Sequence, residues 1–231
     1  MAWLRYIVYF FGVALVTWLL TRMELWSPGS LRLHVIAEGE YYGTSEFSPI
    51  EIIQPLILAV CGLLMLRVAL IYPPQRPLAL AFGGLALMFL VRELDYFLDR
   101  YFVDNLWQVL IAIFGALLIV YVYRHRVRLR IALIRIWPSP GLTLLFAGAV
   151  ILFAFVRLVG HEPLWQSILG DNYLRVIKLA VEEFIELSGY FLWLIGAFEY
   201  AFQAHAMANA EPQPVAQRKR DQRRPQTKAR Y

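Results

Sequence analysis

Lys178-Leu-Ala-Val-Glu-Glu-Phe-Ile-Glu-Leu-Ser-Gly189 lies inside a long apolar run near the C-terminus of a 231-residue chain. It puts three carboxylates, Glu182, Glu183 and Glu186, where a helix crossing a lipid bilayer normally carries none. A charge near the bilayer centre costs ~2.5–3.5 kcal/mol on insertion scales, so such side chains face a partner, a cavity or an ion. Whether the run spans a membrane decides the fold. What its acids meet decides the function.

Composition answers the first question. The chain is 60% hydrophobic and 17% charged, against roughly half and a quarter in a soluble domain. Its apolar residues are gathered into runs long enough to cross a bilayer. The expected fold is all-α and polytopic, with six transmembrane helices at about 3–22, 49–72, 78–98, 105–123, 142–160 and 173–202. These form one transmembrane domain over 1–203, and the Pro-, Gln- and Arg-rich remainder, 204–231, is expected to be a disordered tail. The first span is expected to stay as an uncleaved anchor, because Thr21-Arg22-Met23-Glu24 offers no small-x-small cleavage site. Little length remains for a soluble catalytic domain.

Local signals mark the helix ends. Ser48-Pro49-Ile50-Glu51 combines an N-cap serine, a proline at the first helical position and a glutamate at the third. Pro55 has no N–H to give the carbonyl of Glu51, so an oxygen is freed there, which is useful beside a polar site. In the polar connection 23–49, Leu31, Leu33 and Val35 alternate with Arg32 and His34, a weak strand or surface-lying segment, and Tyr41-Tyr42-Gly43 reads as a turn. Residues 161–170 read as a short loop.

The net charge of +5 is positional. Arg124, Arg126, Arg128, Arg130 and Arg135 crowd into 124–137, and the tail carries a second basic cluster. Both flank apolar runs, which points to membrane lipids with anionic headgroups and to a positive-inside orientation, and away from nucleic acid. Six spans then put both termini in the cytoplasm, and short loops without a glycosylation sequon suit a bacterial inner membrane. The four histidines fall in loops or at ends, so no haem is expected, and Cys61 is the only cysteine.

That topology brings charge from four helices to the outer half of the bilayer. The candidates are Glu51 on span two, then Arg92, Glu93, Asp95 and Asp99 on span three. Arg157 follows on span five, with Lys178, Glu182, Glu183 and Glu186 on span six. At ~1.5 Å per residue, Glu182 lies roughly 15 Å below the helix cap and Glu186 about one turn deeper. Residues three and four apart share a face. Arg175, Lys178, Glu182, Glu186, Gly189 and Trp193 are therefore expected to form one inward stripe, and Arg92, Asp95 and Asp99 another. Glu93 and Glu183 are expected to point about a quarter-turn away, and Glu199 to snorkel or to pair with Arg67.

The acids outnumber the bases, so the surplus must be protonated, hydrated or bound to a cation. The expected function is binding or conduction of a proton, a small cation or a cationic solute. One alternative is an accessory subunit that binds another membrane protein, with the charges as interhelical ion pairs. Another is a metal-dependent enzyme acting on a lipid or isoprenoid phosphate, with a divalent cation held by Asp95, Asp99, Glu182 and Glu186. No family follows from these residues. Asp95-x-x-x-Asp99 matches only the end of the Asn-Asp-x-x-Asp-x-x-x-Asp motif of intramembrane prenyltransferases. Leu187 stands where the Glu-Glu-x-x-x-Arg of intramembrane glutamate proteases has arginine.

Overall fold

A computed structural model of the chain describes residues 2–31 and 48–210. The alternating segment after Leu31, the Tyr41-Tyr42-Gly43 turn and the tail beyond Ala210 lie outside the described residues. All regular structure among the described residues is helical. The elements are α1 (Ala2–Trp26), α2 (Pro49–Ile71), a 3-10 turn (Pro73–Gln75), α3 (Arg76–Glu93), α4 (Asp95–Tyr101) and α5 (Leu106–Ile136). They continue with α6 (Pro140–Val150), a π-helical turn (Ile151–Phe155), α7 (Val156–Val159), α8 (Glu162–Leu169), a 3-10 turn (Gly170–Asn172) and α9 (Arg175–Ala210).

Five stretches among these are long and apolar enough to cross a membrane: Trp3–Trp26, Pro49–Ile71, Pro73–Glu93, Leu106–Ile136 and Pro140–Val159. The chain is a multi-pass helical membrane protein.

Several boundaries differ from expectation. The helix expected to run unbroken over 78–98 stops at Glu93; Leu94 leaves helical geometry at φ −103°, ψ 13°, and Asp95 starts a new helix. The helix expected to end at Tyr123 takes in the basic segment that follows it. That segment continues the same rod to Ile136, giving α5 31 residues. Its Arg-, Leu- and Ile-rich sequence favours helix throughout, and Pro138 ends the run. The expected loop at 161–170 contains the helix Glu162–Leu169, whose Trp165 Nε1 donates to the carbonyl of Val159. Asp171 and Asn172, just ahead of the last expected span, fall in a 3-10 turn, and the last helix extends to Ala210, into the stretch expected to be tail. The α2 start is as expected: Ser48 Oγ accepts from the Glu51 N–H at 3.1 Å, with Pro49 as the first helical residue.

The packing centre is α9. It runs antiparallel to α6 on a seam of glycines, Gly141 and Gly148 facing Gly189 and Gly196, each pair seven residues apart. A Cβ on Gly196 would sit 2.8 Å from the Leu145 nitrogen and 3.0 Å from the Gly141 oxygen, and one on Gly148 would strike Trp193. Such small residues let transmembrane backbones approach closely. Beyond Gly148 the contact continues at every fourth residue: Leu152 against Gly189, buried Val156, then Gly160 against Glu182. In a straight α-helix, at about 100° per residue, four such positions drift by ~120°. The wider π turn absorbs one residue and returns them to a single face.

Polar contacts tie together the end opposite the acids. Glu199 accepts two hydrogen bonds from Arg5, at 2.8 and 2.9 Å, and one from Tyr9 at 2.9 Å. The expected Glu199–Arg67 pair is thereby replaced by a clamp that fixes α1 to α9. Nearby, buried Gln75 donates to the Ala132 carbonyl and accepts from Tyr200, both at 3.0 Å.

The seam makes a measurable prediction. Gly196→Ala and Gly141→Ala should each lower stability by ~1–3 kcal/mol through overpacking, read as a reduced thermal midpoint of the purified chain in detergent. Gly62→Ala, where a Cβ meets nothing within 4 Å, should leave the midpoint unchanged or raise it.

Candidate functional site

At the end of the bundle away from Gln75 and Glu199, α2, α3, α4 and α9 enclose a pocket of about 480 Å³. Its wall carries Glu51, Glu93, Asp95, Glu183 and Glu186 with one guanidinium, Arg92. The apolar part of the wall is Ile52, Pro55, Leu56, Leu94 and Phe97, with Tyr96 beside them. Glu51 and Pro55 thus stand together at the pocket, where the proline withholds a donor from the Glu51 carbonyl.

Each polar wall group is held in place. Arg92 Nη2 pairs with Glu186 Oε1 at 2.7 Å, and the glutamate is buried while the arginine is about one-third exposed. Tyr190 Oη donates to Glu93 at 2.6 Å, and Gln54 Nε2 donates to Glu183 at 3.0 Å. Asp95 Oδ1 accepts from the following amide, that of Tyr96, at 2.6 Å, a local turn that the break at Leu94 makes possible.

The structure reassigns five of the ten candidate residues. Glu93 and Glu183, expected to point aside, belong to the pocket wall. Glu182, expected inward, pairs with Lys178 at 2.9 Å and packs against Gly160 of α7. Asp99 lies on α4, outside the wall, and its buried Oδ1 has no hydrogen-bond partner among the described residues. Arg157 is exposed on α7 and does not line the pocket. The four-residue metal set Asp95, Asp99, Glu182 and Glu186 is accordingly divided. Among the described residues no three His, Cys, Asp or Glu side chains gather in metal-ligand fashion.

Two contributors escaped the sequence reading. Gln54 is fully buried one helical turn from Glu51, and a glutamine inside the apolar run Ile50–Leu58 was the available signal. Tyr190 follows Glu186 by four residues and so shares its face.

Below this pocket the interior is apolar and aromatic. Phe89 meets Tyr190, Trp193 and Phe153 with ring centroids 6.1, 5.4 and 5.3 Å apart. Leu58, Cys61 and Met65 of α2 are buried beside them.

Fold and site together define a polytopic membrane protein with a carboxylate-lined pocket at one end of its bundle. No protein-family model matches the chain, and neither the curated proteins nor the solved structures contain a significant match.

The ion pair should be strongly coupled. Arg92→Gln leaves Glu186 buried opposite a neutral group and should cost on the order of 3 kcal/mol. The doubly substituted R92Q/E186Q chain should recover much of that loss. A double-mutant cycle on unfolding in detergent measures the coupling, and simple additivity would mean that the two charges do not depend on each other.

Proposed function

We propose that the pocket binds a small organic cation presented from the extracytoplasmic side of a six-span membrane protein. The observation that carries this reading is that, among the described residues, five carboxylates from four helices share one cavity with a single guanidinium. That guanidinium is already engaged by Glu186. Glu93 and Glu183 accept from neutral donors, Tyr190 and Gln54, and carboxylates so held in a low-dielectric site need protons, water or a cation. The acids are spread along the wall instead of converging in a metal-like cluster, which suits a cation that donates several hydrogen bonds or carries diffuse charge. Phe97, Tyr96, Leu56 and Ile52 offer it apolar and aromatic contact. The aromatic and aliphatic floor closes the way toward the opposite end, so the arrangement favours a binding site; conduction would require that floor to open.

The topology rests on separate support. Although α9 is not among the five most apolar stretches, its polar groups are covered by α1, α2 and α3, and its glycines by α6. It therefore completes the bundle as a sixth span. Arg5 near the start of α1 meets Glu199 near the end of α9, as an even number of crossings requires. Arg76 and the arginines of α5 lie toward that same end, which makes it cytoplasmic by the positive-inside rule. A bacterial inner membrane is the setting this suits.

Equilibrium dialysis of the purified full chain against tetraethylammonium and a primary alkylamine tests the proposal. Saturable binding is expected, weakened about tenfold or more, ~1.4 kcal/mol, by the E51Q/E183Q double substitution. Glu182→Gln should leave it unchanged. Absence of saturable binding, or an equal loss with Glu182→Gln, overturns the reading.

A further inference from the structure

The second half of α5 has a layout that neither the pocket nor the bundle core uses. Its inner face is fixed by Leu129, Ala132, Leu133 and Ile136, of which Ala132 and Ile136 are 1% exposed. On the opposite face, Tyr123, Val127, Ile131 and Ile134 form a ridge, each between 54% and 68% exposed. Spacings of four, four and three residues keep these on one side of the helix. Arginines occupy the two flanks between the faces: Arg124 and Arg128 on one, Arg126 and Arg130 on the other. None of these four belongs to an ion pair among the described residues. Arg126 lies over the Tyr123 ring, 5 Å or less from its centroid at 4.8 Å.

We propose that this half of α5 is a binding site for anionic phospholipid. The apolar ridge packs on acyl chains, and the two arginine rows reach past it to phosphates on either side. Several observations select lipid. Four cations without carboxylate partners call for an anionic occupant. Guanidinium forks match phosphate oxygens in a bidentate way, and long arginine stems lie along apolar surface while their heads reach the interface. Depth agrees as well: a 31-residue helix measures ~46 Å, against a hydrocarbon core of about 30 Å. The basic half therefore passes through the headgroup layer. A protein partner on the same ridge would have to bring its own acids between two rows that point to opposite sides. The proposal is independent of what the acidic pocket binds.

Native mass spectrometry of the full chain, released from detergent after titration with phosphatidylglycerol or phosphatidylcholine, provides the test. Preferential retention of phosphatidylglycerol is expected. Because one basic side chain near a charged surface is worth on the order of fivefold in affinity, R124Q/R126Q/R128Q/R130Q should abolish the preference. The corresponding fourfold Arg→Lys chain keeps the orienting charge; it should insert normally and retain a reduced preference. Equal retention of both lipids by the native chain overturns the proposal. So does a preference that survives the glutamine substitutions. A third overturning result is a glutamine variant whose only change is loss of a self-associated form, which would mark the ridge as a contact between copies.

Discussion

A carboxylate that is almost wholly buried in a membrane-spanning bundle needs a cation within reach, and the Arg92–Glu186 contact at 2.7 Å meets that need. Much of the architecture follows from it. A helix carrying charge along its length cannot face lipid, so α9, a long helix with no stretch apolar enough to rank among the five membrane-crossing ones, takes the centre. There α2, α3 and α6 cover it. The apolar helices show the converse. The most hydropathic stretch of α5 has no buried residue, and that of α1 is 6% buried. Lipid accepts these surfaces at no cost, and they remain outside. Soluble proteins bury their apolar faces; here polarity selects the interior helix.

The membrane character and the gathering of distant acids were legible in the sequence. Both depend on coarse quantities, namely run length, charge position and the even spacing of spans, which tolerate errors of a few residues. The acids Glu51, Glu93, Asp95, Glu183 and Glu186 share one wall because their helices end at the same level. What the sequence hid depends on helical phase. The interruption at Leu94 carries no proline or glycine, yet it turns Asp95 and Asp99 onto a new axis, apart from that of Arg92 and Glu93. The continuity of α5 past Arg124 was hidden for another reason. Hydropathy marks where lipid ends, whereas helix formation follows backbone propensity, and arginine suits a helix well. The Arg5–Glu199 clamp joins residues 194 apart, a distance over which no local pattern speaks.

Phase also explains why the glutamates exchanged roles. Successive residues of an α-helix are turned by about 100°. From Glu182, the positions of Gly189 and Gly196 lie ~20–40° to one side, whereas Glu186, Tyr190 and Glu183 lie ~40–100° to the other. An inward stripe drawn from composition alone centres on Glu182 and Glu186, since it assigns charge and small residues alike to the interior. Close packing breaks that tie. The glycine pairs can approach only if Gly189 and Gly196 face α6, and this rotation presents Glu182 to Gly160 at the end of α7. Glu183 and Tyr190 then turn toward α2 and α3, where Gln54 and Glu93 receive them. The π turn after Val150 belongs to the same constraint, because without its added residue α7 would rotate away and Glu182 would lose the surface against which it packs. The chemistry of the pocket is thus set by a seam containing no ionisable group: moving the glycines by one position along α9 would exchange the acids facing the cavity while leaving composition and hydropathy unchanged.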